Sequence, residues 1–371
     1  MAGKRVVVGM SGGVDSSVAA CLLQDAGYEV IGVTMQTGQD EETEVLEENG
    51  GCCGLSAVED ARRVAQKIKI PHYVMNFKRE FKEHVIDYFV DAYVKGRTPN
   101  PCIACNRFVK WESLLRRSLE LGADYIATGH YARIRHLENG RYALQSSVTC
   151  EKDQTYALYN LTQDQLAHTL MPVGDYTKDE IRQIAAQAGL PVAQKPDSQE
   201  ICFVPDGDYA GFIDRSLPEP VPPGDFVNTK GEKIGRHKGI THYTIGQRKG
   251  LGLSMGHPVF VAAIRPQSNE VVIGESEDIF APALLCSHVN HMACEQIEDG
   301  TAVTAKIRYN HRGAACRIYK SAGDEICCLF EEPQRAITPG QAVVFYEGDT
   351  VLGGGVIERA LQETDIDLYI R

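Results

Sequence analysis

Through the first 130 or so residues, short apolar β-branched runs alternate with longer stretches whose apolar residues recur at helical spacing. The runs at 5–9, 29–35, 72–76 and 125–128 predict strands, and the stretches at 16–26, 57–68, 81–95 and 109–121 predict helices. Such alternation implies a parallel sheet with helices on both faces and ligands outside the carboxyl ends of the strands. Helical patterning continues at 162–170 and 178–188 and stops at Gly189-Leu190-Pro191. Pro218, Pro220, Pro222, Pro223 and Gly224 then punctuate the chain. Beyond them the pattern turns β-rich, with runs at 258–264, 270–273, 303–309, 342–346 and 351–357 that suggest small barrels. A chain of 371 residues exceeds one comfortable core. The division expected is an α/β domain over 1–215, a small β-rich domain over 216–280 and a C-terminal β-barrel domain over 281–371.

Composition narrows the setting. The chain is 43% hydrophobic and 24% charged, as in soluble globular proteins, and no apolar run approaches a membrane span. Lys4 and Arg5 lead into a short strand rather than the apolar core of a signal peptide, so a cytoplasmic protein is expected. The 12 cysteines then read as thiols, metal ligands or catalysts rather than structural disulfides. A net charge of −12 argues against general nucleic-acid affinity, yet the charge is uneven. Residues 40–48 carry six acids, and the acidic, Gly-rich stretch 40–56 is expected to be mobile without a partner. By contrast Lys306, Arg308, Arg312, Arg317 and Lys320 lie in a stretch with no acid, and 230–249 holds six basic residues against Glu232. Local basic tracks on an acidic protein suit a polyanion that is held and released; two solvated basic faces are the competing reading.

The richest chemistry lies directly after the first strand. Gly9-Met10-Ser11-Gly12-Gly13-Val14-Asp15-Ser16-Ser17 runs from strand to tight turn to helix N-terminus, a natural anion site. Gly12 and Gly13 let the backbone approach a phosphate, and Ser11, Ser16 and Ser17 add hydroxyls. The segment fits neither the Walker A loop nor the dinucleotide G-x-G-x-x-G spacing. It resembles the pyrophosphate (PP) loop of the N-type ATP pyrophosphatases, which split ATP into AMP and pyrophosphate. A Gly-rich turn opening an ordinary Rossmann-like helix is the alternative. Met35, closing the second strand, stands where an adenine would lie, or is strand-end packing.

Among the cysteines, Asn100-Pro101-Cys102-Ile103-Ala104-Cys105 precedes an amphipathic helix, and a thiol at a helix N-terminus is expected to be thiolate-rich, Cys105 above all. The Cys-x-x-Cys pair alone fits half a zinc site, a redox dithiol or a pair of cluster ligands. Cys202 taken alone reads as buried and inert, as do Cys21, Cys316 and Cys327-Cys328; Cys52-Cys53 makes a poor chelator. His242 and His257 read as loop residues, and 243–252, with Arg248 and Lys249 between glycines, as a phosphate contact or a solvated turn.

Separated motifs then occur in order: Gly-Met-Ser-Gly-Gly-Val-Asp-Ser-Ser at 9–17, Gly-Arg-Thr-Pro-Asn-Pro at 96–101 and Ala-Thr-Gly-His-Tyr-Ala-Arg at 127–133. Lys-Asp-Gln-Thr-Tyr follows at 152–156, Asp-Ser-Gln-Glu-Ile-Cys-Phe at 197–203 and Gly-Gln-Arg-Lys-Gly-Leu-Gly at 246–252. Over essentially its whole length the chain resembles the bacterial tRNA-specific 2-thiouridylases. The resemblance implies a PP-loop catalytic domain followed by two small β-rich domains, the last contacting tRNA. It implies thiolation of a wobble uridine at carbon 2: ATP adenylates the oxygen, pyrophosphate leaves, and sulfur displaces AMP. Cys202 would carry a persulfide from a sulfur donor, and Cys105 would be the second catalytic cysteine. Gly9, Met10, Ser11, Gly12, Gly13, Val14, Asp15, Ser16, Met35 and Gly129 would hold ATP with Mg²⁺, Asp15 being a metal-side acid or a helix N-cap. Asn100, Pro101 and Cys102 would line the pocket of a flipped base. His130, Lys152, Asp153, Gln154, Arg308, Tyr309 and Gln341 would meet tRNA. The better-known form of the family has Asp where this chain has Cys102. A subset resembling this sequence implies a [4Fe-4S] cluster on Cys102, Cys105 and Cys202 instead, with one open iron carrying sulfide. A PP-loop ligase acting on a small metabolite and a non-catalytic, ATP- or cluster-dependent RNA-binding sensor are the competing functions.

Overall fold

The computed structural model describes residues 3–38, 55–196 and 201–369. The acidic run 40–48, the expected mobile segment as far as residue 54, Cys52-Cys53 and residues 197–200 lie outside them. The chain divides into two compact units, one of Met1–Ile86, Pro101–Gly207 and Asp349–Val351, the other of Asp87–Asn100, Asp208–Gly348 and Leu352–Arg371.

The first unit is built on strands β1 (Arg5–Gly9), β2 (Glu29–Gln36), β3 (His72–Asn76) and β4 (Tyr125–Ala127), followed by the hairpin β5 (Ala132–His136) and β6 (Tyr142–Ser146), and β7 (Thr169–Leu170). The sheet order is β3-β2-β1-β4-β7, and every pairing in it is parallel. Parallel strands covered on both faces read as continuous apolar runs, and Val6, Val7 and Val8 of the central β1 are accordingly buried. Val6 and Val8 join Val14 and Val18 of the helix Val14–Asp25 and Ile181 and Ala185 of the helix Lys178–Gln187 in one core. The predicted helix over 162–170 is shorter in the structure. A capping box between Thr162 and Gln165 starts it, it ends at Ala167, and Thr169–Leu170 pairs with β4 instead. The helix predicted over 109–121 starts earlier, at Pro101, and runs to Glu120.

The second unit is β-rich. β8 (Gly224–Asn228), β9 (Lys233–His237), β10 (Phe260–Arg265) and β11 (Glu270–Gly274) form a sheet in the order β10-β11-β8-β9, packed on Phe226, Tyr243, Val261, Val271 and Ile273. β12 (Phe280–His291), β13 (Thr301–Lys306), β14 (Ala314–Lys320), β15 (Ile326–Arg335), β16 (Ala342–Glu347) and β17 (Thr350–Leu361) follow in the order β12-β15-β14-β13-β16-β17. β17 pairs back onto β12 in antiparallel fashion, which closes the barrel and removes its edges. Within this unit Arg97 is strapped to the barrel: its guanidinium meets the Glu358 carboxylate at 2.7 Å and donates to the Ile357 carbonyl at 3.1 Å.

Candidate active site

The strand order opens a crevice at one place. From β1 the chain moves outward through β2 and β3, then returns to β4 and β7 on the other side, so the loops after β1 and β4 diverge at the carboxyl edge. Both carry candidate residues.

The loop after β1 is tightly held. Met10 is buried, its N–H donates to Val33 O at 2.8 Å, and its carbonyl accepts from Thr34 Oγ1 at 2.9 Å. Gly12 lies at φ +68°, and a Cβ there would sit 2.5 Å from the Ala57 carbonyl oxygen, so only glycine fits. Gly13 is the N-cap of the helix Val14–Asp25. The hydroxyls of Ser16 and Ser17 turn back to the Gly13 carbonyl at 3.3 and 2.7 Å, and Ser11 N–H donates to Ser16 Oγ at 3.2 Å. These serine hydroxyls stiffen the turn, which leaves the backbone and helix dipole as the main anion-binding feature.

Asp15 departs from one of its two sequence expectations, that of a helix N-cap. It lies inside the helix rather than capping it, because Gly13 already occupies the cap. Its two carboxylate oxygens accept from Lys178 Nζ at 2.8 and 2.9 Å, and Oδ1 also accepts from the Tyr131 hydroxyl at 2.8 Å. In this arrangement the carboxylate's partners are one ammonium and one phenol hydroxyl. Met35 is half-buried near the end of β2, in register with Met75 of β3.

The loop after β4 approaches the same helix end. A Cβ on Gly129 would lie 2.5 Å from Ser16 N and 2.7 Å from Asp15 C, so backbone meets backbone here. The next residue, His130, ends a hydrogen-bonded row. Asn106 Nδ2 donates to Ala157 O at 2.9 Å, and Lys110 Nζ donates to Asn106 Oδ1 at 2.8 Å. Lys110 Nζ lies 3.4 Å from His130 Nε2, and His130 Nδ1 lies 2.7 Å from Thr128 Oγ1. An ammonium only donates, so Nε2 accepts and the ring proton sits on Nδ1, facing Thr128. Burial first, and the Lys110 charge second, hold the imidazole well below its ordinary range and keep it neutral. Sequence reasoning missed Lys110, Asn106, Tyr131 and Lys178.

Of the 152–154 triplet, Lys152 is exposed. Asp153 accepts from Ser147 N–H at 3.2 Å and from Thr155 Oγ1 at 2.6 Å. Gln154 Oε1 accepts from Tyr131 N–H at 2.9 Å, and Gln154 N–H donates to Tyr131 O at 2.9 Å. Asp153 and Gln154 thus brace turns while sitting beside the β4 loop.

Cys102 and Cys105 lie on the helical run that also carries Asn106 and Lys110, and Cys202 lies in a turn near residue 201. Pro101 opens the helical run and Cys102 follows, exposed; Cys105 is half-buried one turn inside. The helix begins earlier than its apolar periodicity suggests, so Cys102 rather than Cys105 stands nearest its start; Pro at the first helical position is the signal that marks it. From Cys105 to Leu114 the helix widens to i→i+5 bonding, with Leu115 N–H on Lys110 O. Pro101 is buried and Asn100 half-buried. Cys202 is exposed rather than the buried, inert thiol that its local sequence suggests, and its neighbour Phe203 sets an edge against Phe81 at 5.8 Å. Among the described residues no three His, Cys, Asp or Glu side chains gather to hold a metal. The residues as placed therefore do not fit the expected [4Fe-4S] cluster on Cys102, Cys105 and Cys202, which needs three thiolates converging on one volume.

In the second unit Arg308 is half-buried and donates to Arg335 O at 3.0 Å, while Tyr309 is exposed. Gln341 Nε2 donates to Thr98 O at 2.9 Å, so its amide holds the 97–98 strap. His242 pairs with Asp214 at 3.0 Å. Among the described residues no helix is long and apolar enough to cross a membrane.

Three family models cover the chain in sequence. One described as the tRNA methyl transferase HUP domain matches residues 4–206, and a tRNA methyl transferase PRC-barrel domain matches 210–275. An aminomethyltransferase beta-barrel domain matches 282–357. The tRNA-specific 2-thiouridylase MnmA of Lachnoclostridium phytofermentans is 68% identical over 354 residues, 95% of this chain and 99% of the relative. The enzyme of the same name from Clostridioides difficile is 55% identical over 359 residues, 96% of this chain and 99% of the relative. That from Acetivibrio thermocellus is 55% identical over 361 residues, 96% of this chain and 100% of the relative. With a parallel α/β sheet carrying the phosphate loop ahead of a small β-rich domain and a closed barrel, the chain belongs to the tRNA-specific 2-thiouridylase family.

Proposed function

We propose that this protein is an ATP-dependent tRNA-uridine 2-sulfurtransferase acting on the wobble uridine, working in the cytoplasm on a tRNA it binds and releases. One observation carries the reading: identity of 55% or more to 2-thiouridylases over nearly the whole of both chains. The crevice between the β1 and β4 loops, with a rigid Gly-rich turn at a helix N-terminus, supplies the polyphosphate site that such chemistry needs. ATP enters as its Mg²⁺ complex, held by the backbone of Gly9 to Ser16, by Met35 and by Gly129. The uridine carbon-2 oxygen attacks the α-phosphorus, and the helix dipole stabilises the departing pyrophosphate.

For sulfur transfer we take the thiol route, which asks only Cys105 and Cys202 to meet, whereas a cluster asks three cysteines to converge and no such group of three is found among the described residues. A protein donor loads Cys202 with a persulfide, whose outer sulfur attacks carbon 2 and expels AMP. The Cys105 thiolate then attacks the inner sulfur and frees 2-thiouridine, leaving a Cys105–Cys202 disulfide that takes up two electrons before the next cycle. Asn100, Pro101 and Cys102 line the flipped-base pocket in this scheme, and His130, with residues 152–154, faces the anticodon arm. Residues 1–215 carry the chemistry, 216–280 form the central β-rich domain, and 281–371 hold tRNA through Arg308, Tyr309 and Gln341.

The test is thiolation of tRNA transcripts by the purified protein with ATP and a persulfide-loaded donor, read by retardation in a mercury-containing gel and by pyrophosphate release. Thiolation dependent on ATP, Cys105 and Cys202 is expected, with Cys102→Ala retaining it. Thiolation that survives Cys105→Ala, or is lost together with bound iron in Cys102→Ala, rejects the thiol route. Pyrophosphate release on a small metabolite without tRNA rejects the function itself.

A further inference from the structure

Lys178 belongs to none of the motifs that carry the family resemblance, yet it makes an ion pair with the phosphate loop. It is the first residue of the helix Lys178–Gln187, whose start is fixed by a capping box between Thr177 and Glu180. Its side chain is 12% exposed, and its ammonium spans both oxygens of Asp15, at 2.8 and 2.9 Å, across 163 residues of sequence. Asp15 lies in the first turn of the helix that begins at the loop, and the Tyr131 hydroxyl pins the same carboxylate at 2.8 Å. A carboxylate in that turn is well placed for the helix dipole but badly placed for a triphosphate, which needs the same positive end.

We propose that Lys178 is a positioning residue for ATP. It neutralises Asp15 and holds it aside, so that the helix end attracts the polyphosphate rather than repelling it, and Asp15 acts through this pair instead of as a metal ligand. The inference rests on the reading that the 9–17 loop holds ATP. It also sets an asymmetry. Removing the lysine alone strands a carboxylate beside the phosphates, whereas removing both charges restores a neutral site.

The experiment measures equilibrium binding of Mg²⁺-α,β-methylene-ATP and of adenosine to the full chain by calorimetry. Relative to wild type, K178M is expected to bind the triphosphate analogue at least about tenfold more weakly, the size of a like-charge penalty at close range. Adenosine, which has no phosphate to repel, is expected to change less than about twofold. D15N/K178M and the charge-keeping K178R are expected to return to within about threefold of wild type. Equal loss for adenosine and the analogue overturns the proposal, since that reports a damaged fold. A double variant as weak as K178M also overturns it, since lysine would then touch the phosphates directly. Should K178M fail to fold, the comparison of D15N/K178M with wild type still decides: a loss above about tenfold rejects the proposal. Wild-type protein that binds no analogue refutes the ATP reading itself, a result separate from any of these.

Discussion

Gly129 is under a sharp structural demand in the crevice, and its replacement by alanine has a calculable effect. The added Cβ would stand 2.5 Å from Ser16 N, 2.7 Å from Asp15 C and 2.9 Å from Ser16 Cα. Carbon contacts are comfortable near 3.5 Å, so the β4 loop and the first turn of the helix must part by about 1 Å. All three obstacles are backbone atoms, so no side chain can swing aside. Overpacking of this kind costs about 1–3 kcal/mol, and a shift of about 1 Å between groups that position a substrate costs about a hundredfold in rate. Gly129→Ala is therefore expected to lower kcat/KM for ATP in tRNA-dependent pyrophosphate release by roughly two orders of magnitude, and to lower the melting temperature by about 2–10 °C. The two assays are run on one preparation. A variant with kcat/KM within about twofold of wild type and an unmoved melting temperature would refute the claim that this close approach builds the site.

Three further outcomes follow from the described contacts. His130 is held neutral by burial and then by Lys110, so its folded pKa lies below the unfolded value near 6.5. The folded state then binds fewer protons, and stability present above about pH 6.5 is lost as pH falls toward the folded pKa. Melting at pH 7.5 and 5.5 is expected to show a smaller acid loss for His130→Gln than for wild type, and equal losses reject the assignment; His72, His237 and His311, also lowered by burial, are common to both proteins. Burial pushes the Cys21 and Cys327 thiols up to about 11 and those of Cys286 and Cys328 further. Among the described cysteines, alkylation of the native protein at pH 8, read by mass spectrometry, is thus expected at the exposed Cys102, Cys150 and Cys202 first, and early labelling of Cys286 contradicts the barrel packing. Burial raises the Glu358 pKa, but the hydrogen bonds from Arg97 and Ser287 outweigh it and the net shift is down. Arg97→Met is expected to cost about 1–2 kcal/mol in urea unfolding, and a loss under about 0.5 kcal/mol would count against the strap.

The parallel sheet was legible because each strand is its own signal. Val6-Val7-Val8 is buried on both faces and reads apolar throughout. The β5–β6 hairpin escaped notice although Asn139-Gly140 marks its turn, with Asn139 Oδ1 accepting from Arg141 N–H at 3.1 Å. Ala132-Arg133-Ile134-Arg135 alternates but is short, and Tyr142-Ala143-Leu144 does not alternate, so periodicity alone hid the pair. The helix over 162–170 was overextended because Thr169 and Leu170 suit either state locally. Tertiary contact decides: Trp111 Nε1 donates to Thr169 Oγ1 at 2.8 Å while the strand pairs with β4. At the site, the loop itself was readable from contiguous residues, whereas its supports were not. Asn106 and Lys110 pair at i,i+4 on one helical run, but their other partners Ala157 and His130, and the Asp15 carboxylate that Lys178 and Tyr131 hold, lie far along the chain, where no local spacing names them.

Those supports explain why the phosphate loop needs more than its glycines. Tyr131 is buried, and three of its groups serve two distant stretches: its hydroxyl donates to Asp15, its N–H donates to Gln154 Oε1, and its carbonyl accepts from Gln154 N–H. Gly129 and His130 precede it directly, so the backbone that meets Ser16 and the imidazole that meets Lys110 are fixed by the same residue. The turn after β4 therefore has little freedom to move without disturbing Asp15, and Asp15 has little freedom without disturbing the first turn of the helix Val14–Asp25. Rigidity of this kind suits a polyphosphate site, because dipoles aimed in advance stabilise departing charge without reorganising when the bond breaks.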